Sequence, residues 1–466
     1  MLNRSLIAVA ITFAFAGPAF AQDGELAKIR AEIEQLKRVY EQRIDALEKR
    51  LAETETKAGK AEKSAAQAES AAVSAGNRSG ENAFNPAISL VLQGTYARTS
   101  QDPNAYRITG FVPSGGEVGP PKRSFGLGES ELAIAANIDP YFRGVAIASL
   151  APEGGAGIEE AYFQTLALPA GLSLKGGRFF SGLGYLNEQH QHAWDFQDAP
   201  LPYKAFLGNQ LRQEGLQLKW VAPTDLLVEV GAEISAGDQF PGSDRNKNGA
   251  GGSSIFAHVG GDLGASTAWR AGLSYLKTSP RDRGYDDIDT LGNTVANLFT
   301  GNARLWAADA VLKWAPNGNA TQTSFKLQGE YFRLTQNGRS TYDDTAGSGV
   351  FGVLSDVFNA RQSGWYLQGV YQFMPRWRAG LRHDRLNYGS VSNGIVTNDL
   401  GPTATDFPLL TPYNPSRNTL MFDWSPTEFS RIRLQLAQDK SRPNVTDNQV
   451  FVQYIYSLGA HGAHKF

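Results

Sequence analysis

The chain has 466 residues with 44 Lys and Arg against 46 Asp and Glu, a formal charge of -2 and a mean hydropathy of -0.32. It has no cysteine, which excludes disulfides, thiolate metal sites and a cysteine nucleophile, and the balanced charge offers no cationic surplus for nucleic acid. Past the N-terminus no stretch reaches the roughly 20 apolar residues a spanning helix needs, whereas a barrel escapes a hydropathy profile because half of each strand faces water.

In chain order, Arg4, the apolar run from Leu6 to Phe15 and the small-x-small end Ala19-Phe20-Ala21 predict a secretory signal peptide over 1–21. Residues 22–54 are predicted as a short periplasmic coiled-coil helix. Leu26, Ile29, Ile33, Leu36 and Tyr40 follow a 3-4-3-4 seam, and a four-residue step to Ile44 restarts it through Leu47 and Leu51 as a stutter. Residues 55–82 are dominated by Ala, Ser, Glu, Lys and Gly with almost no large apolar side chain, too polar to order themselves, and read as a flexible tether.

From residue 83 to 466 the period switches to two, and about sixteen strands are expected, the wall of an outer-membrane β-barrel. Ile88, Leu90, Leu92, Gly94 and Tyr96 alternate with Ser89, Gln93 and Thr95. Trp365, Leu367, Gly369, Tyr371 and Phe373 alternate with Tyr366, Gln368 and Gln372. The last strand alternates in the same way down to Phe466. Short turns such as Asp139-Pro140, Pro169-Ala170-Gly171 and Pro316-Asn317-Gly318 alternate with long polar loops at 99–127, 182–212, 235–252, 279–303, 334–362 and 387–417. That alternation, with an even strand number, places both termini in the periplasm. Trp220, Trp269, Trp314, Trp365, Trp377 and Trp424 lie on the apolar parity near strand ends, as an interface girdle requires.

The opposite parity should line a water-filled lumen. Its charged candidates are Lys175, Lys219, Glu229, Glu233, Arg378, Arg382, Arg431 and Arg433, with Glu129, Glu131, Lys326, Glu330 and Asp384 on the same face. Arg378, Arg382, Arg431 and Arg433 suggest a basic strip on one wall, set against the alternative of a mixed-charge general diffusion pore. The loop 182–212 carries His190, His192, Asp195 and Asp198 among aromatic residues, so it is expected to pack as a constriction. Two histidines at i and i+2 lack third and fourth ligands at fixed spacing, so no metal and no cofactor are assigned. No G-x-S-x-G sequence is present and no enzymatic activity is expected.

Asn85-Pro86-Ala87-Ile88-Ser89, the hairpins from Gly128-Glu129-Ser130-Glu131 through Ile158-Glu159-Glu160-Ala161-Tyr162 to Gly177-Arg178-Phe179, and the ending Leu458 to Phe466 carry a family likeness. In these segments the chain resembles the phosphate-selective porin (O and P type) superfamily and, more closely, siderophore-porin-like proteins headed by a coiled coil. The resemblance implies an outer-membrane channel, a homotrimer in outer-membrane lipid, and small hydrophilic solutes, with anions or metal chelates among the candidates. An alternative role is a structural one, in which the coiled coil ties the barrel to peptidoglycan or another periplasmic partner; an outer-membrane hydrolase is the third reading.

Overall fold

The computed structural model describes Glu34 and residues 86–115, 118–150 and 154–459. The expected signal peptide, coiled coil and tether, the helical residue Glu34 apart, and the final residues 460–466 with His461, His464 and Phe466 lie outside the described residues.

Residues 87–459 form one sheet of eighteen strand segments. In chain order the first nine are β1 (Ala87–Thr99), β2 (Ser124–Leu127), β3 (Ser130–Asn137), β4 (Phe142–Leu150), β5 (Ala156–Thr165), β6 (Leu172–Phe180), β7 (Arg212–Val221), β8 (Leu227–Ser235) and β9 (Gly252–Leu263). The remainder are β10 (Thr267–Thr278), β11 (Arg283–Ile288), β12 (Thr294–Trp314), β13 (Ser324–Asp343), β14 (Val353–Met374), β15 (Trp377–Asn393), β16 (Ser416–Thr427), β17 (Ser430–Arg442) and β18 (Val445–Gly459). Every pairing is antiparallel, and β1 closes the ring on β18 through Ser89 to Thr99.

Two staves are broken in the middle. The segments β2 and β3 both pair with β1, and β10 and β11 both pair with β12, so the eighteen segments make sixteen staves. The first break is a bulge, with the Gly128 N–H donating to Gln93 O at 2.9 Å and the Gln93 amide to Glu129 O at 2.6 Å. Closure removes every edge that would otherwise leave unpaired backbone groups in lipid.

The dyad in the sequence is the dyad in the wall. On β14, Trp365, Leu367, Tyr371 and Phe373 point outward and are exposed, while Tyr366, Gln368 and Val370 are buried inside. The aromatic band is built across staves. On the side of the short turns, Trp314 pairs with Phe325, Phe325 with Tyr371, and Trp377 with Trp424, whose rings stack at 5.7 Å. Eight residues up β12, Trp306 begins a second band with Tyr331 and Trp365. At the strand rise and tilt of a barrel that interval is about 20 Å of height, the scale of a membrane's apolar layer.

The strands outrun the expectation on the long-loop side. Most of the expected loops 279–303 and 334–362 is strand: β13 and β14 pair to Asp343 and Val353, leaving only 344–352 as a tip. Above the upper band both faces meet water, so the outward residues Asn337, Arg339 and Thr341 are polar and the dyad disappears from the sequence. They are joined instead by side-chain bonds across the hairpin, Asn337 to Asn359, Arg339 to Ser355 O and Thr341 to Ser355.

The lumen also departs from a purely polar lining. Leu276, Leu305, Ala307, Phe332, Leu334 and Leu386 face inward and form an apolar core with side chains of the inward loop. A second cluster at the mouth joins Phe299, Tyr342 and Phe358 of the wall to Val112, Ile395, Phe407 and Leu410 of the long loops.

Candidate channel constriction

The segment 181–211, between β6 and β7, folds into the barrel. Its apolar residues drive it there: Leu183, Leu201, Tyr203 and Phe206 are fully buried, each contributing roughly 1.5–3 kcal/mol of transfer free energy. Phe206 packs edge-on against Phe111, and Tyr203 against Phe332. An α-helix, α1 (Leu201–Leu207), starts behind Pro200 and ends at Gly208, whose φ of 62° suits glycine. There a Cβ would lie 3.0 Å from Ser114 O.

Polar groups register the loop against the wall at four places. Glu330 on β13 accepts from the backbone N–H of Tyr185 and Leu186, both at 3.1 Å, and from the hydroxyls of Tyr203 and Tyr366 at 3.0 and 2.6 Å. Glu233 on β8 accepts from Ser181 Oγ at 2.6 Å, the Gly182 N–H at 2.8 Å and Gln217 at 2.8 Å. Such fully satisfied carboxylates tolerate burial where unpaired ones would not.

The third contact uses the expected basic strip. Arg378 pairs with Asp195 at 2.9 Å and with Asp423; Lys326 reaches Asp195 at 3.0 Å. Asp198 receives Arg417 at 2.9 Å, Arg382 at 3.0 Å, Lys204 at 3.1 Å and the Gln435 amide at 3.0 Å. Arg431 and Arg433 donate to the carbonyls of His192 and Trp194. Arg433 also pairs with Asp423 at 2.8 Å. All four arginines of the strip therefore face the lumen, but they grip the loop. Burial alone would raise the pKa of Asp198, yet Arg417, Lys204 and Arg382 hold it well below the usual carboxylate range. Lys326 and Arg378 do the same for Asp195.

The fourth contact lies on β3 and β5. His190 Nδ1 is 3.1 Å from Glu131 and 3.3 Å from Glu159, its Nε2 is 3.0 Å from Glu160, and His192 Nδ1 is 2.9 Å from Glu131. Burial disfavours a charged imidazole at 190, but the three carboxylates outweigh it and raise its pKa well above the ordinary value. The loop thus runs from a carboxylate wall at residues 190–192 to a guanidinium wall at 195–198.

The other sequence candidates also face inward. Lys219, Glu229 and His258 form a separate chain near the short-turn end, with Glu229 2.9 Å from Lys219 and 3.0 Å from His258. Lys175 lies over the Tyr162 and Phe179 rings at 4.7 and 5.4 Å. At the short-turn end a cavity of about 530 Å³ is lined by Asp195, Lys313, Lys326 and Arg378. Sequence parity missed Glu159, because a bulge opposite Ile147 and Ala148 turns it inward beside Glu160. It also missed Asp423, Arg417 and Asp439, which complete the ion pairs.

Among known proteins, an uncharacterized protein of Aquifex aeolicus is 29% identical over 416 residues, covering 83% of this chain and 81% of the relative. No protein-family model matches the chain. Solved structures similar to it include the trimeric OmpT of Vibrio cholerae, with TM-score 0.49, 10% identity, and 80% of this chain and 99% of that one covered. OprB of Pseudomonas putida has TM-score 0.47, 12% identity and coverage of 80% and 94%. The outer-membrane channel DcaP of Acinetobacter baumannii has TM-score 0.45, 12% identity and coverage of 80% and 96%.

Proposed function

We propose that this chain is an outer-membrane porin that lets small hydrophilic solutes pass passively through a lumen narrowed by the segment 181–211. The observation that carries the reading is a closed sixteen-stave wall, apolar outside, with one loop drawn inside and clamped to opposite walls. An even number of staves puts both ends of the barrel on the side of the short turns, the periplasmic side in such barrels. A homotrimer and the likeness to coiled-coil-headed porins belong to the same proposal.

Balanced charge across the lumen argues for weak ion selectivity. The arginines that would favour anions are neutralised by Asp195, Asp198 and Asp423, so a phosphate ladder is not what they build. Liposome swelling with uncharged sugars of increasing size tests the proposal. Swelling that falls off sharply with sugar size supports it, and no swelling with the smallest sugar overturns it.

A further inference from the structure

Where the loop meets the carboxylate wall, the lumen holds a cluster that solute passage does not require. Glu131 stands on β3, Glu159 and Glu160 are turned to one face by the bulge in β5, and His190 arrives from the loop. All three carboxylates are buried. Lys175 acts electrostatically on Glu160, and Arg431 holds the carbonyl of His192.

The two imidazole nitrogens of His190 have different surroundings. Nε2 meets Glu160 Oε2 at 3.0 Å, and Glu160 is itself held by the Phe180 N–H at 3.0 Å. Glu160 engages Nε2 and leaves Nδ1 facing Glu131 Oε2 and Glu159 Oε2. Neither Nδ1 nor Glu159 Oε2 makes a well-aligned hydrogen bond, though both are buried, so the space between Nδ1 and the two carboxylates takes either the second proton of an imidazolium or a metal ion in its place. Something positive belongs between them.

The spacing fits a metal ion. The two contacts to Nδ1, 3.1 and 3.3 Å, match the ~3.3 Å edge of a tetrahedron with ligand bonds near 2.05 Å. The three ligand atoms all lie within 4.8 Å of one another. His192 Nδ1 bonds the other oxygen of Glu131 at 2.9 Å and so orients that carboxylate from outside the ligand set.

We propose that Glu131, Glu159 and His190 form a binding site for a divalent first-row transition-metal ion of the Zn²⁺ class, bridging the inward loop to the barrel wall. One imidazole nitrogen with carboxylate oxygens suits such ions, whereas Ca²⁺ and Mg²⁺ take all-oxygen shells. The bound ion ties residue 190 to two staves at once, so it stiffens the constriction. This site is independent of whether solutes cross the lumen, although it sits at the same loop.

The test uses the full chain, purified in detergent and stripped by a chelator. Equilibrium dialysis against Zn²⁺ and separately against Ca²⁺ should show one Zn²⁺ per chain and no comparable Ca²⁺ uptake. His190→Gln and Glu159→Gln should each weaken Zn²⁺ binding at least 100-fold, and Glu160→Gln, which alters the supporting carboxylate, about 10–100-fold. His258→Gln, near Glu229, should leave it unchanged. Zn²⁺ binding that persists at wild-type strength in His190→Gln and Glu159→Gln would place the ion elsewhere and overturn the proposal, as would absence of stoichiometric binding. Should a variant fail to fold, Co²⁺ loaded into the wild type decides: visible absorption of a four-coordinate nitrogen–oxygen site supports the proposal, and no such band overturns it. Because the readout is binding, failure here is distinct from failure of the channel reading, which liposome swelling reports.

Discussion

Asp198→Asn is the sharpest perturbation of the constriction. The wild-type carboxylate serves Lys204, Arg382 and Arg417 at 3.1, 3.0 and 2.9 Å. In the variant Arg382 keeps Asp384 and Arg417 keeps Asp439, both at 3.3 Å, but Lys204, only 2% exposed, loses its carboxylate. Removing one partner of a buried pair costs about 3–5 kcal/mol, so the ratio of docked to released loop should fall by about two to three and a half decades. The readout is built into the chain, because the released loop presents the Lys204–Ala205 bond to trypsin. Native protein should resist cleavage there, and the variant should be nicked at that bond at a rate raised at least 100-fold. Asp244→Asn, in an exposed loop, should stay within about 0.5 kcal/mol of wild type and remain uncut. If Asp198→Asn resists trypsin as well as wild type does, the ion-pair cluster does not hold the loop.

Glu330→Ala orphans four donors, two backbone N–H groups and two tyrosine hydroxyls, each costing about 1–3 kcal/mol, so the temperature at which the folded barrel loses its fast gel mobility should drop clearly; Glu330→Gln should drop it less. Leu367→Arg, on the outward face of β14, should cost about 2–4 kcal/mol in urea unfolding from lipid vesicles, and an unchanged midpoint would mean that this face does not meet lipid. The depressed pKa values of Asp195 and Asp198 fix a pH dependence: their contribution is fully present above about pH 4 and is lost as the pH falls through the lowered folded values. Pepsin should therefore leave the loop intact at pH 4 and cut it only in stronger acid.

The sequence carries the wall well, because alternation along a stave is local: the parity that put Leu367 outside and Gln368 inside needs only neighbouring residues. That 182–212 packs was legible for a similar reason, since Trp194, Tyr203 and Phe206 are too apolar for an exposed tip, but its direction into the barrel was not. What parity could not show is which inward charges meet. Arg378 and Asp195 are 183 residues apart, so a strip that looks like a selectivity wall becomes a set of loop clamps only after folding. The upper halves of β13 and β14 were hidden because water on both faces erases the alternation. Glu159 was hidden by a bulge, which shifts parity by one residue and leaves no sign in composition. The partners missing from the histidine pair stood on that same stretch of wall, 30 and 61 residues back in the chain.

A loop-narrowed lumen should conduct, and planar-bilayer recording of the purified full chain in symmetrical salt measures this without an intermediate step. Discrete stepwise insertions of small, uniform conductance with weak ion selectivity by reversal potential are expected, with steps that grow larger in Asp198→Asn as the loop is released. Folded protein that inserts into the bilayer without any stepwise conductance would contradict that expectation.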